Sequence, residues 1–323
     1  MSEIRYDILK DEYVLIAPER ARRPIKLNDS NVKENNTECP FCPQNEHLIE
    51  NEIFSIKKDN KWRTKVIPNI YRVAGIENKF YKKIDGIFES FGTYGAHEVI
   101  IDTPKHNVNI WDLKTDEIVD WLKTIQIRYE DLKKDKNLIY LNVFKNSGIK
   151  AGASQSHPHT QIISLPIIPR KKINLYKRSL ENYKQEGISL FEKVFSNEKF
   201  LVEKTAKFFA VTPFSSAFAF EIIIIPNDFN YEMQNITDLA KIIKNVSKKL
   251  KAHLGIFDFN LYFDFPPLNK NFQNKDFFDE IDKIACFNIR IIPRIYNIAG
   301  FEISSGMFIN VIPPEKVYEV FGI

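Results

Sequence analysis

Residues 154–165 read Ser154-Gln155-Ser156-His157-Pro158-His159-Thr160-Gln161-Ile162-Ile163-Ser164-Leu165, and two of the chain's six histidines flank the proline there. Pro158 fixes its own φ near about −65° and drives His157 toward an extended backbone. In an extended chain every second side chain shares a face. His157, His159 and Gln161 are therefore expected together, on a strand that Ile162 and Ile163 continue. Two imidazoles and a carboxamide so placed can bind, attack or polarise an anionic centre. The same groups also suit a polar strand face that does no more than satisfy its own hydrogen bonds.

Cys39-Pro40-Phe41-Cys42-Pro43 is the second chemistry-bearing stretch. A Cys-x-x-Cys reads as half a zinc site or as a redox pair. Redox pairs open a helix inside a βαβ unit, which Pro43 and its polar surroundings do not resemble. A closed tetrahedral site needs two further ligands. The one remaining cysteine, Cys286, stands alone among apolar residues and is expected to be a buried core thiol. The missing ligands must then be histidines or carboxylates from elsewhere. A third stretch, Ala17-Pro18-Glu19-Arg20-Ala21-Arg22-Arg23-Pro24, sets three arginines between two prolines. Guanidinium groups on a stiffened loop suit bidentate phosphate contacts, and a basic surface turn is the plainer alternative. A polar, exposed linker is expected over 28–37.

The elements that must position these groups follow from periodicity. Residues 97–102, His97-Glu98-Val99-Ile100-Ile101-Asp102, form a strand closed by Thr103-Pro104-Lys105-His106. A helix starts at Thr115 with Asp116 and Glu117 in its first turn, and Ile118, Trp121, Leu122, Ile125, Tyr129 and Leu132 make its buried stripe. A strand over 138–144 leads into a loop at Lys145-Asn146-Ser147-Gly148, a turn at Gly152, and the histidine strand. The pattern recurs. A strand over 218–225 ends at Pro226, and a helix over 235–253 buries Leu239, Ile242, Ile243, Val246 and Leu250. Strands over 259–265 and 287–292 follow, the latter stopped by Pro293. Two copies of one α+β unit are expected, joined by a polar helical connection over 171–197. The second copy carries Asn288 and Arg290 in the region of the first copy's histidines, so one copy holds the reactive group and the other completes the pocket.

Composition excludes several classes. The chain has 323 residues, 44% apolar and 27% charged, enough for one large or two medium domains with real cores. A net charge of +4 from scattered basic residues suits phosphate-bearing ligands and not a nucleic-acid track. Lys248, Lys249 and Lys251 flank Leu250 as a solvated helix face would. Three cysteines make no disulfide framework, Met1 to Asp7 lacks an apolar signal region, and 222–225 is too short to span a bilayer. A reducing cytoplasm and no membrane partner are expected.

Several separated motifs occur in one order: Arg20-Ala21-Arg22-Arg23-Pro24, Cys39-Pro40-Phe41-Cys42, Pro68-Asn69, His97-Glu98-Val99 with His106, Lys145-Asn146-Ser147-Gly148, Gly152-Ala153-Ser154 with His157-Pro158-His159-Thr160-Gln161, and Ala299-Gly300-Phe301-Glu302. With them the chain resembles, over nearly its whole length, the galactose-1-phosphate uridylyltransferase family, the nucleotidyltransferase branch of the histidine triad superfamily. The resemblance implies an α+β fold of two histidine-triad-like units, each an antiparallel sheet with a long helix packed on it. Residues 1–170 would carry the zinc site and the nucleophile, and 171–323 would complete the substrate pocket. It implies one structural Zn2+ per chain on Cys39, Cys42, His106 and His157. It implies His159 as the nucleophile on the α-phosphorus of a nucleotide sugar, in a ping-pong cycle through a nucleotidyl-histidine. Gln161 stands where hydrolytic relatives keep a third histidine. A carboxamide donates to phosphoryl oxygens without a titratable proton, so it stabilises charge without helping water discharge the intermediate. Asn146 and Ser154 match phosphate contacts, Asn69 a nucleotide contact, and Arg20 and Arg23 the substrate-binding arginines. Gly300 and Glu302 match a sugar-binding segment that reaches the partner's site in a homodimer.

Departures narrow the expectation. Better-studied uridylyltransferases carry a second metal on a His-x-His where this chain reads Asn288-Ile289-Arg290, so no second site is expected. A lysine and a glutamine that hold the sugar phosphate there fall near Tyr296 and Phe308 here. The leading expectation is transfer of UMP between UDP-hexose and hexose 1-phosphate. The alternatives are a nucleotide-sugar phosphorylase, such as one taking ADP-glucose with phosphate as acceptor, and a non-catalytic nucleotide-binding zinc protein. Arg290 or Arg294 is the candidate for holding an acceptor phosphate.

Overall fold

Alternating burial sets the sheet. Tyr140, Asn142, Phe144 and Asn146 are half-buried along one strand, while Leu141, Val143 and Lys145 between them are buried. One face of that strand is thus packed and the other open. A computed structural model of the chain describes residues 3–7, 12–16, 39–49, 51–85, 88–270 and 276–323. Arg20, Arg23 and the 28–37 linker lie outside the described residues.

The strands are β1 (Glu3–Asp7), β2 (Glu12–Ile16), β3 (Phe54–Lys58), β4 (Lys61–Pro68), β5 (Lys82–Asp85), β6 (Phe88–Phe91), β7 (Ala96–Ile101), β8 (Tyr140–Ser147), β9 (His159–Leu165), β10 (Leu201–Lys204), β11 (Phe208–Val211), β12 (Ile222–Pro226), β13 (Phe259–Asp264), β14 (Asn288–Pro293) and β15 (Phe308–Asn310). The helices are α1 (Thr115–Leu132), α2 (Arg170–Glu186), α3 (Leu190–Phe195), α4 (Ile236–Leu254), α5 (Ile281–Ile284), α6 (Gly300–Ser305) and α7 (Pro314–Phe321). Ten strands form one sheet in the order β10-β11-β12-β14-β13-β8-β9-β7-β4-β3, every neighbour antiparallel. From either edge inward the chain runs the same course: three strands, a long helix, then the two central strands. The fold is α+β, two like units sharing one sheet. They meet where β8 pairs with β13, from Phe259 opposite Ser147 to Asp264 opposite Asn142. Strand β15 adds parallel to β2 in a separate small sheet.

Helices α1 and α4 pack against each other and cover one face. Their stripes, Ile118, Trp121, Leu122 and Ile125 with Leu239, Ile242, Ile243 and Val246, join Ile100, Val143, Ile162, Leu261 and Ile289 in the main core. In the second unit the other face is also covered, Leu175, Tyr176, Leu180 and Phe191 sitting on Phe209, Val211, Ile223 and Ile225. In the first unit that face is covered, among the described residues, chiefly by Phe41 and Ile49 against Trp62, Ile67, Val99 and Ile101. The site lies there.

Four expected boundaries move, each for a physical reason. Residues 145–147 continue β8 rather than looping, because β13 supplies ladder partners as far as Ser147. β12 starts at Ile222, because residues 218–221 turn: Glu221 N–H donates to the Phe218 carbonyl and Phe220 has φ of 59°. The 171–197 connection breaks into α2 and α3 at Gly187, which caps α2 with φ of 76°. β9 starts at His159, so His157 is not a strand residue, and the expected common face holds for His159 and Gln161 alone.

Candidate active site

The Cys39-Pro40-Phe41-Cys42 segment is a tight turn, closed by Cys42 N–H to the Cys39 carbonyl and continued by Asn45 N–H to the Cys42 carbonyl. Asn45 Nδ2 also donates to the Cys39 carbonyl at 2.8 Å. Lys65, buried in β4, anchors the following 3-10 turn through Glu46 at 3.1 Å and Glu52 at 3.3 Å. The turn faces His106 and His157. Cys42 Sγ lies 3.3 Å from His106 Nδ1 and 3.6 Å from His157 Nδ1, and the two Nδ1 atoms are 3.3 Å apart. With Cys39 the four donor atoms all fall within 4.8 Å of one another. A tetrahedral zinc with bonds of about 2.3 Å to sulfur and about 2.0–2.1 Å to nitrogen needs N–N edges near 3.3 Å and S–N edges near 3.6 Å. The four residues fit one such ion. The His157 Nε2–H donates to the Thr103 carbonyl at 2.8 Å, which commits Nδ1 to the ligand role. Ser156 Oγ holds His106 Nε2 at 3.1 Å. Burial pushes the Cys42 thiol up to about 11 and the His157 imidazole down to about 4, so an ion would bind a ring already neutral but must displace a thiol proton.

Two residues on, His159 occupies a different environment. A carbonyl only accepts, so the His159 Nδ1 carries its proton to the His157 carbonyl at 2.9 Å, and the lone pair is left on Nε2. Burial, then the nearby Lys145 ammonium, holds the ring below the usual histidine range. Lys145 lies behind the ring on the packed side of β8, donating to Asp102 at 2.7 Å and to the His159 carbonyl at 3.2 Å. The phenyl ring of Phe41 is 5.6 Å from the His159 ring and 6.0 Å from that of His157, joining the Cys-x-x-Cys turn to β9. Lys145 stands in a motif and Asp102 ends a strand read from the sequence, but neither residue type points there to a contact with His159. The signal for Lys145 is a charged residue at an inward position of an alternating strand, after Leu141 and Val143.

Gln161 follows on the same face, about 7 Å further along the strand. Its Oε1 lies 3.1 Å from His97 Nε2 and 3.4 Å from Asn69 Nδ2. Asn69 is fixed at backbone and side chain, its N–H donating to the His97 carbonyl at 2.9 Å and its Oδ1 accepting from Tyr71 N–H at 2.8 Å. Asn146, in the neighbouring strand, accepts at Oδ1 from Asn260 Nδ2 at 2.9 Å, and Asn260 in turn accepts from Arg294 at 3.0 Å. The second unit thus steadies a polar group of the first. Ser154 is exposed on the loop between β8 and β9.

Other expected residues are placed elsewhere. Arg290 cannot meet an acceptor phosphate: it is buried and paired with the fully buried Glu221 at 2.5 Å. Arg294 lies half-buried over the Phe218 ring, engaged with Asn260. Gly300 and Glu302 sit on α6, where Glu302 accepts from Ala299 N–H at 3.0 Å. No hydrogen bond among the described residues links either of them to His159.

A neutral imidazole whose Nε2 takes part in no hydrogen bond among the described residues, with carboxamides beside it and a pinned strand beneath, suits an α+β, histidine-triad-like enzyme of nucleotidyl transfer. The chain belongs to the galactose-1-phosphate uridyl transferase family, whose N-terminal domain matches residues 1–169. An ADP-glucose phosphorylase of Arabidopsis thaliana is 27% identical over 329 residues, covering 98% of this chain and 92% of the relative. A galactose-1-phosphate uridylyltransferase of Thermotoga maritima is 26% identical over 342 residues, covering 98% of this chain and 96% of the relative. The crystal structure of an ADP-glucose phosphorylase from Arabidopsis thaliana with bound ADP-glucose superposes with a TM-score of 0.84 at 25% identity, covering 100% of this chain and 99% of that one.

Proposed function

We propose that the chain transfers a nucleoside monophosphate from a nucleotide sugar to a phosphate acceptor through a covalent intermediate on His159. The observation that carries this reading is the His159 tautomer: Nδ1–H is tied to the His157 carbonyl and Nε2 is free. In the first half-reaction Nε2 attacks the α-phosphorus, the N–P bond forms, and the bond to the bridging oxygen breaks with release of sugar 1-phosphate. In the second, an acceptor phosphate oxygen attacks the same phosphorus and His159 is restored. Gln161, Asn146 and Ser154 contribute donors to the phosphoryl oxygens, and Asn69, with Arg20 and Arg23, holds the nucleotide. Cys39, Cys42, His106 and His157 hold one Zn2+, whose contribution is structural: four protein ligands fix the strand that aims His159. Gly300 and Glu302 serve the partner's site in a homodimer, and the protein works in the cytoplasm.

The donor is UDP-hexose and the acceptor hexose 1-phosphate in the first form of this reading. A second form, phosphorolysis of ADP-glucose, is favoured by Tyr296 and Phe308 in place of the lysine and glutamine, and by the burial of Arg290 with Glu221. Product analysis separates them. ADP and glucose 1-phosphate from ADP-glucose plus inorganic phosphate identify a phosphorylase. UDP-galactose from UDP-glucose plus galactose 1-phosphate identifies a uridylyltransferase. Turnover of neither pair contradicts both. Metal analysis checks the ligand set: Cys42→Ser is expected to lose about one zinc per chain, and unchanged zinc would contradict it.

A further inference from the structure

We infer that His97 is a positioning residue that sets which end of the Gln161 carboxamide faces the reacting phosphoryl group. The inference rests on the transfer reading above and adds a residue to it. His97 is in β7, next to β9, and is buried. Val73 N–H points at His97 Nδ1 at 3.1 Å, and a backbone amide can only donate, so Nδ1 is the acceptor and the ring proton is on Nε2. That Nε2–H then donates to Gln161 Oε1 at 3.1 Å. Asn69 Nδ2, whose amide is oriented by Tyr71 N–H on its Oδ1, lies 3.0 Å from His97 Nε2 and 3.4 Å from the same Gln161 oxygen; with the ring proton on Nε2 it cannot donate to the ring, which leaves its N–H for that oxygen. Both neighbours present donors, so an inverted Gln161 would set its NH2 against two N–H groups. The carboxamide oxygen is therefore held inward. Its Nε2 donors, unclaimed by any hydrogen bond among the described residues, are left for an anionic oxygen on the open face.

The second unit has a comparable pair on the corresponding strands. Gln161 stands opposite Val99 and Phe144, and Arg290 stands opposite Ile223 and Tyr262, the corresponding strands in the mirrored order. There Arg290 is held by Glu221 as Gln161 is held by His97. The strand preceding the long helix orients the same register position in both units. In the second unit the pair is sealed in the core; in the first, Gln161 is half-buried and its amide is open.

The test is single-turnover formation of the nucleotidyl adduct, from UDP-glucose or ADP-glucose, in wild type, His97→Phe, His97→Gln, Gln161→Ala and the His97→Phe/Gln161→Ala double variant. His97→Phe is expected to slow the step by about tenfold or more, and His97→Gln, which restores an N–H donor, to recover most of it. In the Gln161→Ala background His97→Phe should cost nothing further, because its effect passes through Gln161. Losses that multiply, or a His97→Phe variant at full rate, overturn the inference. If wild type forms no adduct from either donor, it is the transfer reading that fails. The orientation is then decided by NMR of the Gln161 side-chain amide, distinct and slowly exchanging in wild type and averaged in His97→Phe; identical spectra overturn it.

Discussion

At His159 three neighbours act on one imidazole. The His157 carbonyl takes the Nδ1 proton, burial disfavours the charged ring, and Lys145 opposes a second positive charge. All three favour the neutral ring, the form that the proposed attack requires. The adduct-forming rate should therefore stay high as pH falls through about 6.5, the ordinary histidine value, and decline only below it. Lys145→Met removes the cation and leaves the Asp102 carboxylate, and both changes raise the ring's pKa. Its half-maximal rate is expected at higher pH than wild type, read from single-turnover rates between pH 4 and 8; coincident profiles would contradict the assignment. Cys39, Cys42 and the His-Pro-His stretch are visible in the sequence because their chemistry is spelled by adjacent residues. The tautomers are not, since each depends on a carbonyl or amide brought in by another element.

At the scale of elements, the loop from β8 to β9 must reverse the chain and deliver Ser154. Gly148 makes this possible: its φ is 86°, and a Cβ there would lie 2.0 Å from an Asp258 carboxylate oxygen. That carboxylate also accepts from Lys150 N–H at 2.8 Å. Gly148→Ala is expected to destabilise by about 2 kcal/mol or more and to lower kcat while zinc stays bound, checked by denaturant unfolding, metal analysis and turnover; unchanged stability would contradict it. The helix stripes were legible because a 3.6-residue period covers many residues, and the stripe residues expected in α1 and α4 are buried. Strand ends were less so. Whether 145–147 is strand depends on β13, far along the chain, and 218–221 leaves the strand because the backbone turns at Phe220.

Over the whole molecule, the repeated course of strands and helix is what makes one site from two units. Across the β8–β13 seam Asn260, from the second unit, orients Asn146 of the first. Asn260→Ala is expected to lower kcat/KM by about tenfold without loss of zinc, and an unchanged value would show that the second unit only buttresses the sheet. The duplication could be read from spacing, but not which positions correspond. Arg290 reads in the sequence as available for phosphate, whereas the fold sets it beside Glu221 in the core. The proposed covalent step on His159 is read by intact-protein mass spectrometry. After separate incubations with UDP-glucose and ADP-glucose, one donor should add the mass of its nucleoside monophosphate to wild type and nothing to His159→Ala. An adduct that persists in His159→Ala, or none from either donor in the zinc-loaded wild type, would contradict the account.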